Sequence, residues 1–371
     1  MITLLVPTMN RPDFVVRLLR YYDSLNFKHS ILIGDSSNHE EFEKTNHVVD
    51  ELNGRLNVEH FYYPDLTNYA VSYKLIQKVT TPYSAFLPDD DFLVPNSIEK
   101  LISFMEKHPD YSCAWGKTTI FSLKDQGVHG QISAMGPNNE ATDYSIENNL
   151  AKERLLEHIS KYTSVFIGVC RTQMFKIALR NSLKMNETGN KSNNTWWTAQ
   201  AFGELSTSFS LVAQGKVKSI NCLYWVRQSH DQRYLFNDTF DWITSSNWLS
   251  CYNLMAQQIV EDVMMEDHLN KEETYEAVKQ AFWAYLAASI VNKYSAKYYK
   301  TIYSSRHQFR EWAKTIPGAR QMVRKMLTMR ARLFPSKGEL SLPDFLSPTS
   351  PYHKDFMPVY ESITKQPDTK E

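Results

Sequence analysis

The chain has only four cysteines in 371 residues, Cys113, Cys170, Cys222 and Cys251, and they form neither a CxxC pair nor a dense disulfide framework. A reducing cytoplasm is the simplest setting for such a chain. It also lacks any apolar run approaching the roughly 18 residues that span a bilayer. The opening Ile2-Thr3-Leu4-Leu5-Val6 has no basic flank or long apolar stretch, so it reads as a strand and not as a signal peptide. Net charge is missing too: 41 lysines and arginines balance 41 aspartates and glutamates, which leaves no global field to gather nucleic acid. Nor does a glycine-rich, basic phosphate loop follow the first strand.

What is present is ordinary globular composition, 42% hydrophobic and 22% charged. The length suits two domains, or one large α/β domain with an appendage. Residues 2–6, 30–34, 57–63, 83–87 and 111–115 are short, apolar and bounded by turn formers, and helix-like stretches separate them. That alternation predicts an α/β fold with a doubly wound, mostly parallel sheet. Residues 117–149 read as an extended loop or small hairpin, a lid or acceptor loop. A core domain closes near residue 235, a helical domain covers 236–334, and the proline-bearing 335–371 is expected as an extended surface tail.

The densest chemical signal is Leu87-Pro88-Asp89-Asp90-Asp91, three carboxylates directly after a buried-looking strand. Like charges so placed repel unless a cation or hydrogen-bond donors gather there, and Mn²⁺ or Mg²⁺ is the economical candidate. The plainer alternative is a solvated acidic turn. Thr8, Asn10 and Arg11 close the first strand, and Asp35, Ser36 and Ser37 close the second. Each is open to a local reading, Asn10 as a helix cap and Asp35 as a turn former. All three clusters nevertheless fall at strand ends on one side of the sheet, where such folds bind ligands.

With these motifs on the page, residues 2–232 resemble the GT-A glycosyltransferases of the family 2 type, common in bacterial surface-polysaccharide synthesis. The resemblance rests on Thr3-Leu4-Leu5-Val6-Pro7-Thr8-Met9-Asn10-Arg11, on Ile33-Gly34-Asp35-Ser36-Ser37 and on Leu87-Pro88-Asp89-Asp90-Asp91. It implies nucleotide binding by Thr8, Asn10, Arg11, Asp35, Asp89 and Asp90, with Asp35 reading the base. It implies a divalent ion, Mn²⁺ or Mg²⁺, held by Asp91 and Asp89. Pro88 stands where the family pattern has an aspartate, which shifts these roles along the triplet. Glu204, one helical stretch ahead of Gly215, is the implied general base, because an attacking alcohol must lose its proton as the new bond forms. Gly203-Glu204-Leu205 departs from the adjacent acids more usual there.

Downstream, Arg227 and Arg233 are candidates for neutralising a leaving diphosphate, and His230 is a metal ligand or a structural histidine. Trp196 and Trp197 stack on a sugar or join the core. The resemblance implies sugar transfer from a nucleotide-sugar donor to a hydroxyl of a glycan or lipid-linked acceptor, with inversion favoured. The rivals are a nucleotidyltransferase and a catalytically silent sugar-nucleotide or partner-binding protein. Between Ser295 and Lys337, eleven lysines and arginines face a single acid, Glu311. Within that stretch, 318–334 is basic and amphipathic, so it either touches an anionic membrane at the inner face or docks on the core. Trp283, Tyr285, Tyr294, Tyr298, Tyr299 and Tyr303 offer a face for a homodimer or for packing on the catalytic domain.

Overall fold

Strand β1 (Ile2–Thr8) is the spine of the sheet, an almost continuously buried run of the kind covered on both faces. The structure, a computed structural model, describes residues 1–125, 127–137, 144–189, 195–231, 239–291 and 341–365. β1 pairs in parallel with β2 (Ser30–Asp35) and β4 (Tyr83–Phe86), and β3 (Asn57–Tyr62) adds to β2. Beyond β4 the order continues β8 (Val169–Arg171), β6 (Tyr111–Leu123), β9 (Lys216–Ser229) and β5 (Phe92–Leu93), while β7 (Ile132–Pro137) pairs with β6. β8 lies antiparallel to both β4 and β6, and β9 runs parallel to β6. Six of the nine strands therefore share one direction, as a mostly parallel sheet requires.

The helices form for local reasons. Pro12 opens α1 (Pro12–Ser24), whose Phe14, Val15, Leu18, Leu19 and Tyr22 bury one stripe. Asn38 caps α2 (His39–Glu51) by accepting from the Glu41 amide at 3.0 Å, and Thr67 caps α3 (Asn68–Lys78) through Ala70 at 3.4 Å. Pro95 starts α4 (Pro95–Lys107). Asn10, between β1 and α1, sits at φ 54°, a left-handed geometry that asparagine tolerates better than most residues.

A second hydrophobic cluster gathers on α5 (Ala151–Ser160), α7 (Trp196–Gln214), α9 (Trp248–Asp267) and α10 (Lys271–Ile290). It joins helices from both sides of residue 235. α6 (Thr172–Asn186) lies between α3 and α7, and the short α8 (Thr239–Ile243) precedes α9.

A 3-10 turn, Val165–Ile167, leads into β8. Two segments differ from expectation. The 117–149 segment does contain a hairpin, but the loop joining its strands is pinned: the Gly130 amide donates to the Ile363 carbonyl at 2.9 Å. The tail is not extended, since α11 (Leu342–Leu346) and α12 (His353–Thr364) form within it. Phe356, Val359 and Ile363 are fully buried at helical spacing. That burial outweighs the one backbone bond lost at Pro358. The basic 318–334 segment lies outside the described residues. Among those described, no helix is long and apolar enough to cross a membrane.

Candidate active site

Ordering the sheet brings the ends of β1 and β4 side by side and closes the distance between residues some eighty positions apart in sequence. The Thr8 hydroxyl donates to Asp89 Oδ2 at 2.6 Å. Arg11 bridges the next two acids, with one guanidinium nitrogen 2.7 Å from Asp89 Oδ1 and the other 3.0 Å from Asp90 Oδ2. His230 Nε2 reaches the same Asp90 oxygen at 2.8 Å, and its ring stacks on Phe14 at 4.6 Å between centroids. Thr8, Arg11, Asp89, Asp90 and His230 thus form one network.

Asp91 points elsewhere. Its Oδ2 accepts from the Trp225 indole at 2.8 Å and its Oδ1 from the Gln228 amide at 3.0 Å, with Arg227 Nε 3.8 Å from Oδ2. The Arg227 guanidinium lies 4.6 Å over the Trp225 ring. Burial pushes Asp89 and Asp91 above the ordinary carboxylate range, with Asp90 adding like charge to both.

Asp35 is fully buried, its Oδ1 accepting from the Ser37 amide at 2.8 Å and its Oδ2 lying 3.2 Å from His60 Nε2. The turn it supports reaches Asn10, whose amide donates to Ser37 Oγ at 2.7 Å and whose side-chain oxygen accepts from the Asn38 amide at 3.0 Å. Asp35 therefore supports from behind the turn that carries Ser37 and reaches Asn10.

Glu204, in α7, accepts from Ser164 at 2.5 Å and from Tyr162 at 3.2 Å. Because β8 runs antiparallel to β4 with Ser84 opposite Cys170, the chain entering β8 comes from the edge where β4 ends. Phe166 confirms the placement through its 5.4 Å edge contact with Phe86. Ser164 and Glu204 thus sit on the acidic side of the sheet. A cavity of about 240 Å³ opens beside Glu204, lined by Tyr162, Trp197, Trp242 and Tyr285 among others. Arg233 lies outside the described residues, as do Tyr294, Tyr298, Tyr299 and Tyr303. Trp283 is 44% exposed.

The residues that sequence reasoning missed are those that hold the others. Arg17 is interleaved in the apolar stripe of α1 and is only 1% exposed. It donates to the Asp90 carbonyl at 2.7 Å, to the Val128 carbonyl at 2.7 Å and to Gln228 Oε1. Burial lowers its pKa to about 10 although three carboxylates surround it. His60, Trp225, Gln228, Tyr162 and Ser164 were equally silent. Only an arginine inside an apolar stripe gave any signal.

A divalent ion needs carboxylate oxygens open to it. Here Asp89 accepts from Thr8 through Oδ2 and pairs with Arg11 through Oδ1, Asp90 accepts from Arg11 and His230, and Asp91 from Trp225 and Gln228. Among the described residues no group of three or more ligating side chains is arranged around a common point. As placed, these residues are not gathered around a resident Mn²⁺ or Mg²⁺: Asp89 and Asp90 face Arg11, while Asp91 turns to Trp225 and Gln228.

No family model matches the sequence, and no curated protein sequence does. Among solved structures the chain is similar to S. aureus TarS 1-349 in complex with UDP-GlcNAc, at 13% identity and a TM-score of 0.49, covering 84% of this chain and 78% of that one. It is also similar to GalNAc-T7 with UDP, GalNAc and Mn²⁺, at 11% identity and a TM-score of 0.43, covering 79% and 58%. Likeness at this level leaves the chemistry to the site's own geometry.

Proposed function

We propose that the chain is a glycosyltransferase that moves a sugar from a nucleotide donor to an acceptor hydroxyl, by inversion, in surface-polysaccharide synthesis. The observation that carries this reading is the placement of two polar centres at one sheet edge: Arg11 bridging Asp89 and Asp90, and Glu204 beside a cavity. An open α/β sheet binds ligands at that edge. Thr8, Asn10, Arg11, Asp89 and Asp90 would meet the nucleotide, with Asp35 setting the turn behind Asn10.

In the reaction, the acceptor hydroxyl gives its proton to Glu204 and its oxygen bonds to the anomeric carbon. The bond from that carbon to the diphosphate breaks, and the nucleoside diphosphate leaves with the electron pair. Arg11 and Arg227, which pair with the acidic triplet, would take up the charge on the leaving group.

The test is a panel of nucleotide sugars and nucleoside triphosphates, assayed for released product with and without Mn²⁺. Release of a nucleoside diphosphate from one nucleotide sugar supports the reading. Release of pyrophosphate from a triphosphate would make the chain a nucleotidyltransferase, and no turnover of any donor would favour a silent binding protein.

A further inference from the structure

The cavity beside Glu204 is built by helices of the second hydrophobic cluster, and its lining is chemically one-sided. Trp197, Trp242 and Tyr285 supply aromatic walls, while Thr198 and Ser289 supply hydroxyls. Among the described residues that line it there is one carboxylate, Glu204, and no lysine or arginine. Trp242 also carries a buried indole N–H without a hydrogen-bond partner among the described residues, a donor for which a ligand oxygen would be the natural acceptor.

We propose that this cavity binds one uncharged sugar ring of the acceptor, with a ring hydroxyl presented to Glu204. The proposal rests on the transferase reading and names the acceptor end of it. Volume is the first argument: about 240 Å³ is room enough for one sugar ring. The walls are the second. Aromatic rings present flat apolar faces that suit the C–H face of a pyranose, and their polar edges suit its hydroxyls.

Charge is the third argument and sets the specificity. A phosphate or uronate brought beside Glu204 would meet a like charge with no lining cation to offset it. A hydrocarbon tail would strand that carboxylate and the rim hydroxyls away from water, at a cost no apolar contact recovers. A neutral sugar satisfies both sets of groups.

The test is intrinsic-fluorescence titration of the full chain with the methyl glycosides of glucose, galactose and N-acetylglucosamine, with methyl glucuronide and decanoate as comparators. At least one neutral glycoside should give a saturable change. Glucuronide and decanoate should bind at least tenfold more weakly. Ala201→Phe, which fills the cavity from α7 without removing a contact, and Trp197→Ala should each weaken the neutral glycoside at least tenfold. Folding of both variants is checked by circular dichroism. No saturable change with any neutral glycoside, tighter binding of glucuronide or decanoate, or a folded Ala201→Phe that binds as wild type would overturn the proposal. Nucleotide titration on the same protein keeps the two readings apart. Nucleotide binding without glycoside binding defeats the acceptor site alone, and glycoside binding without nucleotide binding defeats the transferase reading alone.

Discussion

The hydroxyl of Thr8, at the end of β1, donates to Asp89 Oδ2 over 2.6 Å, tying the first strand of the sheet to the first acid of the triplet. Both side chains are buried, Thr8 at 5% and Asp89 at 1% exposure. Thr8→Val should leave that carboxylate oxygen unpaired and lower stability by roughly 1.5–3 kcal/mol, the worth of a hydrogen bond to a charged group. Thr8→Ser should recover most of it. Urea denaturation of the three proteins decides, and equal midpoints for wild type and Thr8→Val would show that the pair is not made in solution.

Arg17 joins three separate pieces of backbone and side chain at Asp90, Val128 and Gln228. Arg17→Met keeps the apolar length of the side chain but strands the acceptors, so a loss of about 3–5 kcal/mol is expected. A urea midpoint within error of wild type would contradict the connection.

Much of this site was legible in the chain and some of it was not. Strand ends announce themselves by an apolar run that stops at polar residues, which is why Thr8, Asp35 and the triplet were visible at one edge. Glu204 was visible by its place on the helix before Gly215. Partners are a different matter. The acceptors of Arg17 include Val128 and Gln228, 111 and 211 positions away, and Asp91 takes its donor from Trp225, 134 positions away. No local pattern encodes such pairings. The same holds for His60 behind Asp35, set by the parallel register of β2 and β3. The helical tail was misjudged because its prolines speak locally, while Phe356, Val359 and Ile363 are stabilised by a core assembled elsewhere.

His158 is fully buried, and burial lowers its pKa to about 3. Tyr144 donates its hydroxyl to the Lys161 carbonyl at 2.6 Å, so the same oxygen accepts from His158 Nδ1 at 3.1 Å. The folded pKa lies below the unfolded value of 6.5. The stabilising difference is therefore intact above pH 6.5 and is lost as pH falls toward the folded value, because only the unfolded chain takes up the proton. Between pH 6.5 and 4.5 this group alone should cost on the order of 2 kcal/mol. His158→Phe should show a flatter pH profile in urea denaturation over that window, and an unchanged slope would exclude a buried neutral histidine.

Glu204 accepts from two hydroxyls, and the amide oxygen of glutamine can keep both bonds. Glu204→Gln should therefore fold normally and bind nucleotide as wild type does. Its turnover with acceptor should fall by roughly 10²–10⁴, the usual contribution of a general base. Steady-state kinetics beside nucleotide calorimetry separates the two effects. Full turnover by the glutamine variant would remove Glu204 from the chemistry.

The most direct measurement is calorimetric titration of UDP, GDP, CDP and dTDP, each with and without Mn²⁺, into wild type and Asp89→Ala. One base should bind saturably, and the substitution should weaken it at least tenfold, since Asp89 is held by both Thr8 and Arg11 at the strand edge. Binding by none of the four nucleotides, with or without the metal, would contradict a donor site at Thr8, Arg11, Asp89 and Asp90.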